Sequence, residues 1–191
     1  MFFHGGWGKI SAAASTQYVL DRFGPDLLVN LGTCGGLEGR IERGAVILVD
    51  RTVVYDIVEQ MTEPLAALAH YATDLDVSWL RAEPPTPVRR GQMLSADRDI
   101  LPEDVRSLTE KYGAVAGDWE SGAIAWVAKR NGVRCLILRA VSDLVSAEGG
   151  EAYEVRGLFA QRTAEIMVML VSILPVWLAA ICRPAEPPTT L

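Results

Sequence analysis

Uninterrupted apolar runs alternate with helix-period segments along most of the chain. Residues 134–141 carry the strongest strand signal: Cys135, Leu136, Ile137 and Leu138 follow one another without alternation, as in a strand buried on both faces. Residues 27–31 read the same way and end in Gly32-Thr33-Cys34-Gly35-Gly36. Residues 45–49 form a third run, extended or paired by 51–55, and 91–95 and 114–116 are shorter candidates. Residues 11–23 place Ala12, Thr16, Val19, Leu20 and Phe23 at helical spacing and stop at Gly24-Pro25. Residues 64–71 and 121–130 also read as helices, the second closed by Asn131-Gly132. Residues 102–111 suit a helix with Pro102 in its first turn and two acids at the positive end of its dipole. Residues 83–87 are a Pro-rich loop, and a last long helix starts near Tyr153. The alternation predicts an α/β domain with three layers, a mostly parallel mixed central sheet flanked by helices.

That last helix runs into an apolar stretch, 166–182, interrupted only by Ser172 and Pro175. A bilayer span needs roughly 20 apolar residues. Pro175 is expected to break the stretch, which reads as a buried terminal helix on a soluble protein with no membrane partner. Residues 1–182 form one domain in this reading, and the Pro-rich 183–191 a disordered tail.

Composition narrows the classes. The 191 residues are 50% hydrophobic and 22% charged, enough for a packed core and too apolar for a disordered chain. The net charge of −6, with no basic cluster beyond Arg89-Arg90, argues against nucleic acid as a partner. Cys34, Cys135 and Cys182 lie far apart, as do His4 and His70, so neither a disulfide framework nor a metal centre is expected. A reducing cytoplasm and a chain without metal or cofactor follow.

Ligands of such sheets bind beyond the carboxyl ends of the strands. Three polar groups fall there: the turn at Gly32–Gly36, Asp118-Trp119-Glu120-Ser121, and Ser142-Asp143. The glycines permit close approach of backbone N–H groups to a ligand, and Thr33 adds a hydroxyl; a plain tight turn explains them as well. The spacing is not a dinucleotide fingerprint, and His4–Ser11 only imitates a phosphate-binding loop, since Ile10 stands where Ser or Thr follows the lysine. Glu120 at a helix start has a charge role against the dipole as its simplest explanation, and Trp119 a core role. Asp143, followed by Leu144 and Val145, is poorly explained by solvation: an acid in a partly apolar pocket is held protonated and donates a proton near neutrality.

Several separated blocks together carry a family resemblance: Gly8-Lys9-x-x-Ala12-Ala13, the block from Pro25-Asp26 through Asn30-x-Gly32-Thr33-Cys34-Gly35-Gly36, Gly44-Ala45-Val46-Ile47, Asp118-Trp119-Glu120-Ser121-Gly122-Ala123, and Arg139-Ala140-Val141-Ser142-Asp143. In this order they resemble the purine nucleoside phosphorylase / methylthioadenosine–S-adenosylhomocysteine nucleosidase superfamily, over roughly residues 5–175. The resemblance implies cleavage of the N-glycosidic bond of a purine nucleoside such as a 5′-alkylthio adenosine, in nucleoside and methionine salvage. Asp143 is then the catalytic acid at purine N7, oriented by Ser142. Glu120, in the Asp118-Trp119-Glu120 block, holds the ribose hydroxyls. Trp119 stands where the family commonly has methionine beneath the sugar. Thr33, Cys34, Gly35 and Ile100 line the substrate pocket. A homodimer or higher homo-oligomer is implied as well.

Phosphorylases of this superfamily commonly carry an arginine three residues before the Ser or Thr of the glycine turn; here that residue is Asn30, as in the nucleosidases. A phosphate nucleophile loses its bidentate partner without it, which favours water. Two departures keep alternatives open. The position of the aromatic residue that usually covers the purine aligns with Asp99, and the family's opening strand, with its water-activating glutamate, has no counterpart in these residues. Against the family pattern the domain reads as N-terminally shortened by about forty residues, set against usual domain sizes. A catalytically impaired nucleoside-binding relative and a phosphorylase are the competing readings.

Overall fold

The computed structural model describes residues 1–80, 83–153, 155 and 157–182; the tail expected to be disordered, 183–191, lies outside the described residues. In chain order the elements are α1 (Gly8–Phe23), β1 (Leu27–Leu37), β2 (Val46–Val54), α2 (Pro64–His70), β3 (Ala72–Asp74), β4 (Arg89–Ser95), a 3₁₀ turn (Pro102–Asp104), α3 (Val105–Tyr112), β5 (Ala116–Asp118), α4 (Ser121–Arg130), β6 (Arg134–Ser146), β7 (Gly149–Gly150) and α5 (Leu158–Cys182). The expected alternation of helices and strands is present.

The strands form one sheet in the order β3-β2-β4-β5-β1-β6-β7, and a further β2–β6 pairing closes the middle strands on themselves. The long ladders are parallel: β1 with β6 and β2 with β4. Leu136, Ile137 and Leu138 of β6 have no exposed surface, and each aliphatic side chain so buried contributes about 1.5–3 kcal/mol. Ile137 faces the layer of α1 and α4 with Ala12, Leu28, Ile124 and Ala128. Leu136 and Leu138 face α5 through Leu170 and Trp177. α1 ends where Gly24 takes a left-handed φ of 52° and its N–H returns to the Leu20 carbonyl at 3.0 Å.

Three boundaries differ from the sequence reading for physical reasons. β1 does not stop at Gly32 but runs through the glycines to Leu37, because β6 continues to pair with it. Likewise β6 passes through Ser142-Asp143 to Ser146, so these two lie within the strand and not after it. α5 begins at Leu158, later than Tyr153, and continues through Pro175. The carbonyl that Pro175 leaves without a helical partner belongs to Val171, a residue 45% exposed and so open to solvent.

α5 is also less buried than expected. Leu158–Ile181 is long and apolar enough to cross a membrane by length and composition; an 18-residue stretch of it has a mean hydropathy of 2.2 and is 17% buried. Its inner stripe packs on the sheet. Upstream of Gly35, the edge of β1 away from β6 has no strand partner among the described residues. A slot lined by Thr16, Val19 and Phe23 of α1 and by Met167, Val171 and Leu174 of α5 runs along that edge.

Candidate active site

The slot opens into a cavity where Thr33–Gly35 of β1, Asp118 at the end of β5 and the Arg139–Asp143 part of β6 come together; slot and cavity enclose about 1660 Å³. Thr33, Cys34, Gly35, Ile100, Asp118, Trp119, Glu120 and Asp143 all line it, so residues separated by more than a hundred positions share one space. Ser142 stands behind Asp143 and is not on the wall.

The acid is aimed by a strand irregularity. Cys34 pairs with Val141 and Gly35 with Asp143, which leaves Ser142 as an extra residue in β6. A bulge of this kind breaks the in–out alternation and redirects the following side chain. Ser142 Oγ donates to Asp143 Oδ1 at 2.6 Å and lies 3.2 Å from the Cys34 carbonyl. Burial raises the Asp143 pKa, opposed by the Ser142 hydroxyl and the Arg162 guanidinium and reinforced by Glu151 and Asp99. The pocket therefore retains a proton on this carboxyl at a pH where an exposed aspartate has lost it.

Glu120 is held differently. It sits at the N-terminus of α4, yet its Oε1 accepts the N–H of Gly8, at the start of α1, at 3.0 Å. Its pKa is also raised, first by burial, while the Gly8 N–H and Arg139 pull it down. Arg139 Nη2 lies 3.7 Å from Glu120 Oε2, and Arg139 Nε lies 2.9 Å from Asp118 Oδ2. Asp118 in turn accepts hydrogen bonds from Ser95 Oγ at 2.7 Å, from Ser121 N at 3.1 Å and from the Ser121 hydroxyl. These bonds occupy both Asp118 oxygens with protein partners, although sequence reasoning assigned it to the substrate.

Arg139 was missed as a site residue. A lone arginine within an otherwise apolar strand was the available signal, since a buried charge requires a partner. Its guanidinium reaches β1 and donates to the Thr33 carbonyl at 3.2 Å. A Cβ on Gly32 would stand 2.0 Å from Arg139 Nη1, so the glycine at this position makes room for the guanidinium.

The start of α1 closes one side. Gly8 has a φ of +81°, Lys9 N donates to Asp97 Oδ1 at 2.7 Å, and Lys9 Nζ is paired with Asp56. Trp7 stacks on Trp119, with ring centroids 5.3 Å apart and planes at 28°. Tyr153, which also lines the cavity, donates its hydroxyl to the Ile100 carbonyl at 2.7 Å, and Ile100 itself is buried in the adjoining core cluster. Burial pushes the Cys34 thiol far up, which removes it as a thiolate nucleophile. Among the described residues no cluster of His, Cys, Asp and Glu suits a metal ion.

Residues 2–174 match the family model described as the phosphorylase superfamily. The chain belongs to the phosphorylase superfamily. A 5′-methylthioadenosine/S-adenosylhomocysteine nucleosidase of Maridesulfovibrio salexigens is 29% identical over 160 residues, spanning 77% of this chain and 69% of that protein. The nucleosidase of that name from Colwellia psychrerythraea, solved with adenine, superposes with a TM-score of 0.74 at 20% identity, covering 93% of this chain and 76% of that one. A Helicobacter pylori nucleosidase bound to an aminopyrrolopyrimidine carried on a thioalkyl-substituted pyrrolidin-3-ol gives 0.68 at 20% identity, with 88% and 78% coverage. In the superfamily chain described here the same α/β architecture holds the cavity, and the expected fold class stands.

Proposed function

We propose that this protein hydrolyses the N-glycosidic bond of a purine nucleoside, a 5′-alkylthio adenosine such as methylthioadenosine or S-adenosylhomocysteine. The observation that carries the reading is the bulged Ser142-Asp143 pair, a carboxyl whose pKa burial raises, facing the same cavity as the Glu120 side chain. Asp143 gives its proton to N7 as the C1′–N9 electron pair leaves with the base. Its hydroxyl partner, Ser142, fixes the direction of that proton. Glu120 accepts the ribose hydroxyls, exchanging its present bond from Gly8 N for them. Water adds to C1′ and releases one proton, which balances the one given to the base. Protonating a leaving group as it departs speeds such reactions by about 10²–10⁴-fold. Thr33, Gly35 and Ile100 shape the pocket, and Asp118 acts through Arg139 as a positioning residue.

Water is favoured over phosphate by the state of the one guanidinium described in the cavity wall beside Glu120. Arg139 faces two carboxylates and carries no spare charge for a phosphate dianion. Asn30, in the place of the phosphorylase arginine, is neutral. Assembly as a homodimer or larger homo-oligomer, in the cytoplasm and within purine and methionine salvage, belongs to the same proposal; exposed Val58, Met61 and Leu65 support a buried partner face. Adenine release from methylthioadenosine in phosphate-free buffer tests the reaction. Release there is the expected result, and a strict requirement for phosphate, or no release, overturns it.

A further inference from the structure

We infer that the stacked Trp7–Trp119 pair is an aromatic platform for positive charge on the sugar, with Trp119 a catalytic residue and Trp7 its positioning residue. The inference rests on the proposed glycosidic cleavage, whose transition state places positive charge on the ring carbon and oxygen of the sugar.

Three observations carry it. Trp119 lies between Asp118 and Glu120 on the cavity wall, next to the carboxylate that meets the sugar. Trp7 is 75% exposed and lies against Trp119, so the pair forms a rim of the cavity and not part of the core. The π-faces also have no cation of their own. Among the described residues, the cation–π contacts fall on Tyr55, Tyr112, Trp126 and Trp79. The guanidinium beside Glu120, that of Arg139, faces Asp118 and Glu120. Indole is the strongest aromatic partner for a cation, and a carboxylate beside it adds to the same field.

The pair is also held in place. Lys9 N is tied to Asp97 and Lys9 Nζ is paired with Asp56, so the start of α1 stays anchored when Glu120 exchanges its bond from Gly8 N for the ribose hydroxyls. A Cβ on Gly8 would meet Asp97 Oδ1 at 2.9 Å and Trp119 Cε3 at 3.9 Å, so glycine lets α1 start this close to the indole. A platform fixed before the substrate arrives stabilises developing charge without reorganising.

The test separates charge from packing. Two probes are titrated by calorimetry: an aminopyrrolopyrimidine–pyrrolidinol with a methylthio arm, whose ring nitrogen is protonated near neutrality, and its cyclopentane isostere, which is neutral. Wild type is expected to prefer the cation, and Trp119→Leu to lower that preference about tenfold. Trp119→Phe retains most of it, and Trp7→Ala, at an exposed position that leaves the fold intact, lowers it part-way. Turnover should follow as a lower kcat with KM little changed. If Trp119→Leu weakens both probes equally, or if wild type shows no preference or binds neither, the inference is overturned. Adenine release with an unaltered preference in the leucine variant sinks the platform alone; a preference that follows Trp119 without any adenine release sinks the reaction alone.

Discussion

Asp118 and Asp143 end up almost equally buried, 8% and 6% exposed, the first closing β5 and the second within β6, strands that both border β1. Their surroundings differ. Asp118 meets a guanidinium, two hydroxyls and two backbone N–H groups. Asp143 meets one hydroxyl, with Arg162 acting only from further away and two acids opposing it. Burial of a carboxylate is costly, and the two sites resolve that cost in opposite ways. Full pairing turns Asp118 into a brace between β5, α4 and β6. Sparse pairing leaves Asp143 with its pKa raised by burial, the direction a proton donor requires.

The largest way to break this contrast is Asp143→Asn, which keeps the shape and removes the transferable proton. Base release should fall by about 10²–10⁴-fold, measured as adenine formed per enzyme, while thermal unfolding is nearly unchanged. The pH dependence has a definite sign. Because the folded-state pKa is raised, the protonated acid persists to higher pH, and activity is lost as pH rises through that value. Its contribution to stability is likewise greatest below the unfolded pKa and is lost as pH rises through the folded one. At high pH the asparagine variant should therefore unfold at a higher temperature than wild type. Equal pH profiles for the two proteins would remove Asp143 from the chemistry.

The opposite outcome is expected at the braced site. Arg139→Met leaves Asp118 buried without its cation and should cost about 3–5 kcal/mol in urea unfolding. Adding Asp118→Leu to that variant should recover most of the loss, since two apolar groups replace a pair instead of half of one. If the double variant is as unstable as the single, the ion pair is not the brace.

Both aspartates were legible in the sequence as polar residues near strand ends, and Asp143 as the acid of the two, but the full pairing of Asp118 was not. Which acid is paired depends on Arg139, six positions into an apolar strand, reaching across to β5 and α4. Nothing local to either aspartate encodes that contact. The strands themselves were legible wherever apolar residues ran on, as in Leu136-Ile137-Leu138. They were misjudged where chemistry interrupts them, because Ser142-Asp143 and Gly32–Gly36 have loop composition and are strand only through the β1–β6 ladder. Trp7 escaped notice for a related reason: its partner, Trp119, is brought to it by α1 starting at the site.

A smaller effect separates the sugar end from the base end. Glu120→Gln keeps the Gly8 bond possible but removes the charge, and should lower kcat/KM about tenfold to a hundredfold, the range for hydrogen bonds to a charged group. The loss should shrink on substrates lacking the 2′- or 3′-hydroxyl, whereas the loss in Asp143→Asn should not depend on them. Equal losses on deoxy substrates in Glu120→Gln would leave Glu120 without a role at the sugar.

The most sharply local prediction uses Gly32. A methyl group there would occupy the place of Arg139 Nη1, 2.0 Å away, so Gly32→Ala must push the guanidinium aside. Overpacking of this kind typically costs about 1–3 kcal/mol. The guanidinium is the end of a flexible chain, so the backbone is spared and the cost falls on the pair with Asp118 and the bond to the Thr33 carbonyl. In the Arg139→Met background, where neither exists and methionine has no fork to displace, the same alanine should cost much less. Thermal unfolding of the four proteins in this cycle measures the coupling. If alanine costs the same in both backgrounds, Gly32 is there for the backbone of β1 and not for Arg139, and the contrast between the two aspartates then owes nothing to this glycine.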